Sequence, residues 1–338
     1  MVKTHHGVYL LITLSLAICH LSLCTAQTRP KVGLVLGGGG AKGAAEVGAL
    51  RVIEQAGIPI DYIAGTSIGA VVGGLYAAGY HADALDKLFC EQQWLPLLTD
   101  RREDLSNVVY RQIKDVVYVF GFPVFYKGNE QIGLLRGAKI EKDIDSLLAA
   151  HGCVEFESLR TPFRCVAAEL LHANEVVLSK GTLPQAIRAS IAIPGIFKPV
   201  DIDGSYLTDG GMMNNLPVDV VREMGADIVI AIDLQQEKPA DKDATDWGLT
   251  GVASLFGLGN LVDWVVSRPD IRKYNANRKM ADIYINPPLP DYDASSFSQS
   301  KVRQMMNIGE QSARKHWNEL LQLKQKLSNT THDDKVLP

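Results

Sequence analysis

Short apolar runs that stop at glycine, each followed by a segment of helical spacing, organise the first part of the chain. Lys31 to Leu36 is a β-branched apolar run that ends on glycine and reads as a buried strand. Gly37 to Gly40 form a turn, and Ala44 to Ala56 places Val47, Leu50 and Val52 at helical intervals. Ile60 to Ala64 is a second strand, broken by Gly65, and Ile68 to Ala78 is a helix of small residues. Strand, glycine loop and helix, repeated, predict an α/β fold built on a mainly parallel sheet.

The pattern then loosens. Tyr110 to Gly133 is rich in aromatics and glycine and reads as a covering segment rather than part of the sheet. Strands are predicted again at Phe163–Glu169, Glu175–Ser179, Tyr206–Thr208, Asp227–Leu234 and Ile283–Ile285. Helices are predicted over Leu183–Ile191, Pro217–Met224 and, as one long amphipathic element, Ser300–Leu327. Asp203-Gly204 reads as a hairpin turn, and 241–268 as a long connection.

The N-terminus follows a different rule. Lys3 and two histidines precede the apolar run Val8–Leu23, and Cys24-Thr25-Ala26 follow it. A basic start, an apolar core shorter than the roughly 20 residues of a membrane span, and small residues behind it predict a signal peptide over residues 1–26. Leu23 argues against lipidation at Cys24, because a small residue is expected there. Residues 27–327 then form one domain and 328–338 a polar tail. Export, to a periplasm or to the medium, is the expected localisation.

Composition narrows the function without naming it. A net charge of −4 on 338 residues argues against a nucleic-acid partner. Outside the presumed signal, Cys90, Cys153 and Cys165 lack metal-ligand spacing and read as apolar packing. No carboxylates cluster as calcium requires, so no metal or other cofactor is expected.

Three features carry chemistry. Gly65-Thr66-Ser67-Ile68-Gly69 is a G-x-S-x-G between a predicted strand and a predicted helix, the setting that lifts a serine hydroxyl above a sheet. Gly38, Gly39, Gly40, Lys42 and Gly43 belong to a glycine loop whose amides can converge on an anion. That loop is not a P-loop, since no hydroxyl follows Lys42, although it partly imitates a dinucleotide loop. Beside an activated serine it suits an oxyanion. No histidine stands in a loop with catalytic surroundings, whereas Asp209-Gly210-Gly211 puts a carboxylate on a sharp turn where partial desolvation could make it a base.

Together these segments resemble the patatin-like phospholipase family, in particular its bacterial branch. The resemblance rests on Gly38–Gly43, Gly65–Gly69, Ala189–Phe197 and Asp209-Gly210-Gly211 with Asn215-Leu216-Pro217, all within residues 31–234. It implies a three-layer α/β/α fold, Ser67 as nucleophile, Asp209 as proton acceptor and the glycine loop as oxyanion hole, with Gly65 and Gly69 shaping the elbow and Gly210 and Gly211 supporting the Asp209 loop. It also implies hydrolysis of fatty acyl esters in phospholipids or other acyl lipids, with transient contact to a membrane surface. Lys42 stands where the family often has arginine, which bears only on details of anion contact. The outer-membrane barrel that follows the domain in some bacterial relatives is not expected. A soluble-ester hydrolase or thioesterase, and a lipid-binding module without activity, remain as alternatives. Val116–Phe125 and Leu249–Val266 are expected to be packed core, or else an acyl cap that brings Phe256 and Trp264 to the bilayer.

Overall fold

A computed structural model describes residues 29–94, 97, 118–119, 122–123, 135–170, 174–194, 196–235 and 271–332. Residues 1–26, Leu249 to Val266 and most of the aromatic segment lie outside the described residues, as do Gly195 and His172.

The strands are β1 (Val32–Leu36), β2 (Tyr62–Thr66), β3 (Tyr118–Val119), β4 (Phe122–Pro123), β5 (Phe163–Glu169), β6 (Asn174–Leu178), β7 (Val200–Ile202), β8 (Ser205–Asp209), β9 (Ile228–Ile232) and β10 (Ile283–Ile285). The helices are α1 (Ala44–Ala56), α2 (Ile68–Ala78), α3 (Ala82–Glu91), α4 (Ala138–Ala149), α5 (Leu183–Ser190), α6 (Val218–Glu223), α7 (Ile271–Met280), α8 (Gln299–Arg314) and α9 (Trp317–His332). β10, β9, β1, β2 and β5 lie side by side and parallel, while β6 and β8 each pair antiparallel with β5 and β7 pairs antiparallel with β8. β3 and β4 pair antiparallel in a separate two-stranded sheet.

Every residue of β1 is buried, as expected for a strand covered on both faces. Its side chains alternate between two cores. Val32, Leu34 and Leu36 face the core shared with α1, α2 and α8, and Val35 faces the one shared with α6. The sheet is thus sandwiched between helical layers, the three-layer α/β/α arrangement. α1 and α8 approach until a side chain at Gly48 would run into the Met306 carbonyl, so small residues set that contact.

Some elements differ from expectation. The C-terminal helix is two helices, α8 and α9, separated by a turn at Lys315-His316, and α9 runs on to His332, beyond Leu327. α3, α4 and α7 were not expected. α3 buries Ala82, Leu85 and Phe89 at helical spacing, a signal present in the sequence. α7 buries only Asn277, so its own pattern carries almost none. The Asp203-Gly204 turn is found, joining β7 to β8 with positive φ at both residues.

Candidate active site

The register of β5 brings the key residues together. Cys165 and Val166 pair with β2 on one edge and with β6 on the other, whereas Ala167 to Glu169 pair with β6 and β8. A strand has two edges, so β8 takes over the edge that β2 leaves. Thr66 lies opposite Val166, and Asp209 lies opposite the next residue, Ala167. Ser67, directly after Thr66, therefore meets Asp209 although 142 residues separate them.

The bond between them is short. Ser67 Oγ donates to Asp209 Oδ2 at 2.6 Å, and both residues are buried. Asp209 Oδ1 accepts from the Gly211 amide at 2.7 Å, and its own amide donates to the Ala192 carbonyl. Burial pushes the Asp209 carboxyl up to about 6, against the opposing pull of the hydrogen bonds from Ser67 and Gly211. Such a group is ionised at neutral pH yet far more basic than an exposed aspartate.

Ser67 sits at the N-terminal end of α2 with φ 55° and ψ −124°. A non-glycine residue at positive φ is strained and has to be held there. Its neighbours do this. A side chain at Gly65 would lie 2.2 Å from the Gly69 carbonyl oxygen, and one at Gly69 would lie 2.3 Å from that of Leu36, so the elbow closes only with glycine at both positions. The Ser67 amide donates to Ser190 Oγ at 2.9 Å, and Ser190 Oγ donates to the Val166 carbonyl at 2.6 Å. Thr66 Oγ1 donates to the Asn214 carbonyl at 2.8 Å.

The glycine loop passes beside this serine, and a side chain at Gly38 would lie 3.2 Å from Ser67 Cβ. The loop's amides divide into two sets. Gly38 donates to the Asn215 carbonyl and Lys42 to that of Gly39, so neither is open to a ligand. Among the described residues the amides of Gly39 and Gly40 donate to no partner. Gly43 contributes space instead: any side chain there would strike Ile68. The Gly38 carbonyl accepts from Asn215 Nδ2 at 3.0 Å and Gln235 Nε2 at 3.1 Å. Because the C=O and the following N–H of a trans peptide point opposite ways, that double clamp fixes the direction of the Gly39 N–H.

Behind the loop, Asp233 accepts from Tyr284 Oη at 2.6 Å, from the Gln235 amide at 2.9 Å and from Tyr274. Burial pushes its carboxyl up. Glu46, fully buried in α1, is pushed well up by burial and then by Asp233. Nothing in the spacing of α1 marks Glu46 as buried. Ser190 lies in a recognised segment, but no role for it was read. Asn215 was noted only within its motif, and Gln235 not at all.

No histidine touches Ser67 or Asp209 among the described residues. His81 is exposed beside Glu54, His151 lies against the Tyr80 ring at a tilt and His316 meets Glu319. No group of three or more potential metal ligands occurs among the described residues. Cys90, Cys153 and Cys165 are buried and free, matching the packing role read for them.

Fold and site together define a three-layer α/β/α protein with a serine–carboxylate pair at a strand–helix elbow. The chain belongs to the patatin-like phospholipase family, which matches residues 34–222. An uncharacterised NTE family protein of Mycobacterium bovis is 36% identical over 208 residues, covering 62% of this chain and 50% of that protein. The neuropathy target esterase of Drosophila melanogaster is 29% identical over 80% of this chain, and a lysophospholipase of Neurospora crassa 28% identical over 82%. The chain spans about half the length of the mycobacterial relative and 18% of each of the other two. Among solved structures, VipD from Legionella pneumophila superposes with a TM-score of 0.46 at 16% identity, over 86% of this chain and 67% of that one. The family match, not that superposition, carries the assignment.

Proposed function

We propose that the protein is a serine acyl hydrolase that cleaves fatty acyl esters of phospholipids or lysophospholipids. The observation that carries this is the 2.6 Å bond from Ser67 Oγ to a buried carboxylate whose pKa is raised to about 6. Asp209 accepts the Ser67 proton as Oγ attacks the acyl carbonyl carbon. The oxyanion forms towards the open amides of Gly39 and Gly40 and the positive end of α2. Collapse expels the alcohol, which takes the proton from Asp209 and leaves an acyl-serine. Asp209 then deprotonates a water molecule that attacks this ester, and the fatty acid departs as Ser67 regains its proton. No step calls for a metal or a nucleotide. The strained φ at Ser67 supports the reading, because unrelieved strain gathers at functional positions.

The lipid substrate is supported by family membership and by relatives named for esterase and lysophospholipase activity. Working on such a substrate entails transient contact with a membrane surface. Export is supported by the apolar run Val8–Leu23 and the small residues after it, and N-terminal sequencing of the mature protein tests it.

A fluorophosphonate probe and a panel of lysophospholipid, phospholipid and short soluble esters test the activity. The wild type should label at Ser67 and hydrolyse micellar lipid faster than monomeric ester. Ser67→Ala should lose both labelling and turnover, and Ser67→Ala with Asp209→Asn should be hardly worse than either single variant, because the pair acts as a unit. Preference for monomeric ester would favour the soluble-ester alternative. Wild-type turnover by Ser67→Ala would end the serine mechanism.

A further inference from the structure

Outside the serine site, the described residues enclose a cleft of about 180 Å³ between α2, α3 and α4. Val71 and Leu75 of α2, Leu88 of α3, Trp94, and Ile144 and Leu147 of α4 line it. Its polar lining is confined to Gln92, Asp143 and Ser146. Gln92 Nε2 donates to Asp143 Oδ2 at 3.2 Å, a solvent-side bridge between the end of α3 and the exposed face of α4. Most polar groups of the lining thus sit at the rim, and the walls are hydrocarbon.

Position makes this cleft more than a packing gap. Val71 and Leu75 follow Ser67 by four and eight residues, so they lie about one and two helical turns beyond it along α2. At about 1.5 Å per residue, the near end begins about 6 Å from the serine along the helix axis. A chain esterified at Ser67 that turned along α2 would meet the apolar walls at Val71 after its first few methylenes. Size sets a limit. Apolar cavities of about 150 Å³ stay dry and take up a six-carbon ring. By proportion this one holds about seven carbons.

We propose that the cleft along Val71 and Leu75 is the subsite for the fatty acyl chain and senses chain length only up to a medium length. The proposal rests on the acyl hydrolase reading of Ser67. With the carbons that bridge from the ester, the subsite fills at about ten carbons. Below that length each added methylene is withdrawn from water and should raise kcat/KM about fourfold. Above it the chain passes the Gln92–Asp143 bridge and the gain should stop.

The test is a series of p-nitrophenyl esters from butanoyl to hexadecanoyl, kept below their micellar concentrations, with the wild type, Leu75→Trp and Leu147→Trp. Leu75 is buried, and an indole there fills the deep end; Leu147 is only half-buried, so its variant keeps the experiment decisive should the first not fold. The wild-type profile should rise and level off near ten carbons. Each folded variant should lower the ratio of decanoyl to butanoyl kcat/KM by about tenfold or more. Unchanged ratios in a folded variant, or a wild-type profile flat across the series, would overturn the subsite while leaving the hydrolase reading intact. Failure of the wild type to cleave any ester would instead remove the hydrolase reading, and the subsite with it.

Discussion

Replacing Asp209 with asparagine separates the chemistry of this group from its effect on the fold. The carboxyl rises from 3.8 to about 6 on folding, chiefly through burial. Two units and a fraction, at about 1.4 kcal/mol each, correspond to about 3 kcal/mol. The sign follows from the direction of the shift. The folded value lies above the unfolded one, so the native state holds the proton more tightly. The stability it contributes is complete below about pH 4 and is lost as pH rises through about 6. At neutral pH the protein therefore carries an ionised, desolvated group that disfavours its own fold by about 3 kcal/mol. Asparagine is close in shape and neutral. Its Oδ1 can keep the bond from the Gly211 amide, and its Nδ2 can donate to Ser67 Oγ.

Asp209→Asn should thus abolish hydrolysis and yet be more stable than wild type at pH 8, by up to about 3 kcal/mol. The gap should shrink to near zero at pH 4, with most of the change between pH 4 and 6. Urea unfolding of both proteins at single pH steps from 4 to 8 measures this directly. The kcat/KM of the wild type should climb over the same interval, with an apparent pKa near 6, because only the ionised carboxylate can take the serine proton. A stability gap independent of pH, or a variant weaker than wild type at pH 8, would refute the desolvated-base argument.

The remaining predictions concern the glycine loop. Gly39→Ala should lower turnover by about 10²–10³, the scale of a lost oxyanion donor, because the new Cβ would lie 2.7 Å from Leu234 Cδ1. Leu234→Ala in the same chain should restore part of that loss, which chain-length-independent assays on one soluble ester can follow. Gln235→Ala should lower kcat about five- to tenfold with KM little changed, since it loosens one of two hydrogen bonds orienting the Gly38–Gly39 peptide without touching substrate. A rise in KM alone would show that Gln235 contributes to binding instead.

What was legible in the chain follows the range of the forces involved. The elbow at Gly65–Gly69 could be read locally, since a buried strand, a turn of small residues and a helix are neighbours in sequence. Asp209 was legible only as part of a motif, because its approach to Ser67 depends on β8 succeeding β2 along β5, a register no local pattern records. The glycine loop was read in outline and needs revision in detail. Gly39 has φ −179°, an extended value open to any residue, so its constraint is contact with Leu234 rather than conformation. The positive φ belongs to Gly40. The roles of Ser190, Asn215 and Gln235 are not legible in the sequence, because single side chains that bond to backbone groups have no periodicity.

The same reasoning explains how an aspartate can serve without a histidine. An exposed carboxylate near pH 4 is too weak a base to draw a proton from serine, and a histidine ordinarily bridges that gap. Here the fold narrows it from the carboxylate's side. β5 holds Asp209 in the sheet rather than on a solvated loop tip, and Ala192 and Gly211 satisfy its backbone and one oxygen, leaving the other for Ser67. Among the described residues two donors reach the carboxylate and no cation is bonded to it, so desolvation outweighs hydrogen bonding and the pKa moves up. A lysine or arginine against Asp209 would stabilise the ionised form and undo the shift. A cation placed beside Asp209 should therefore be as damaging to turnover as the loss of its charge.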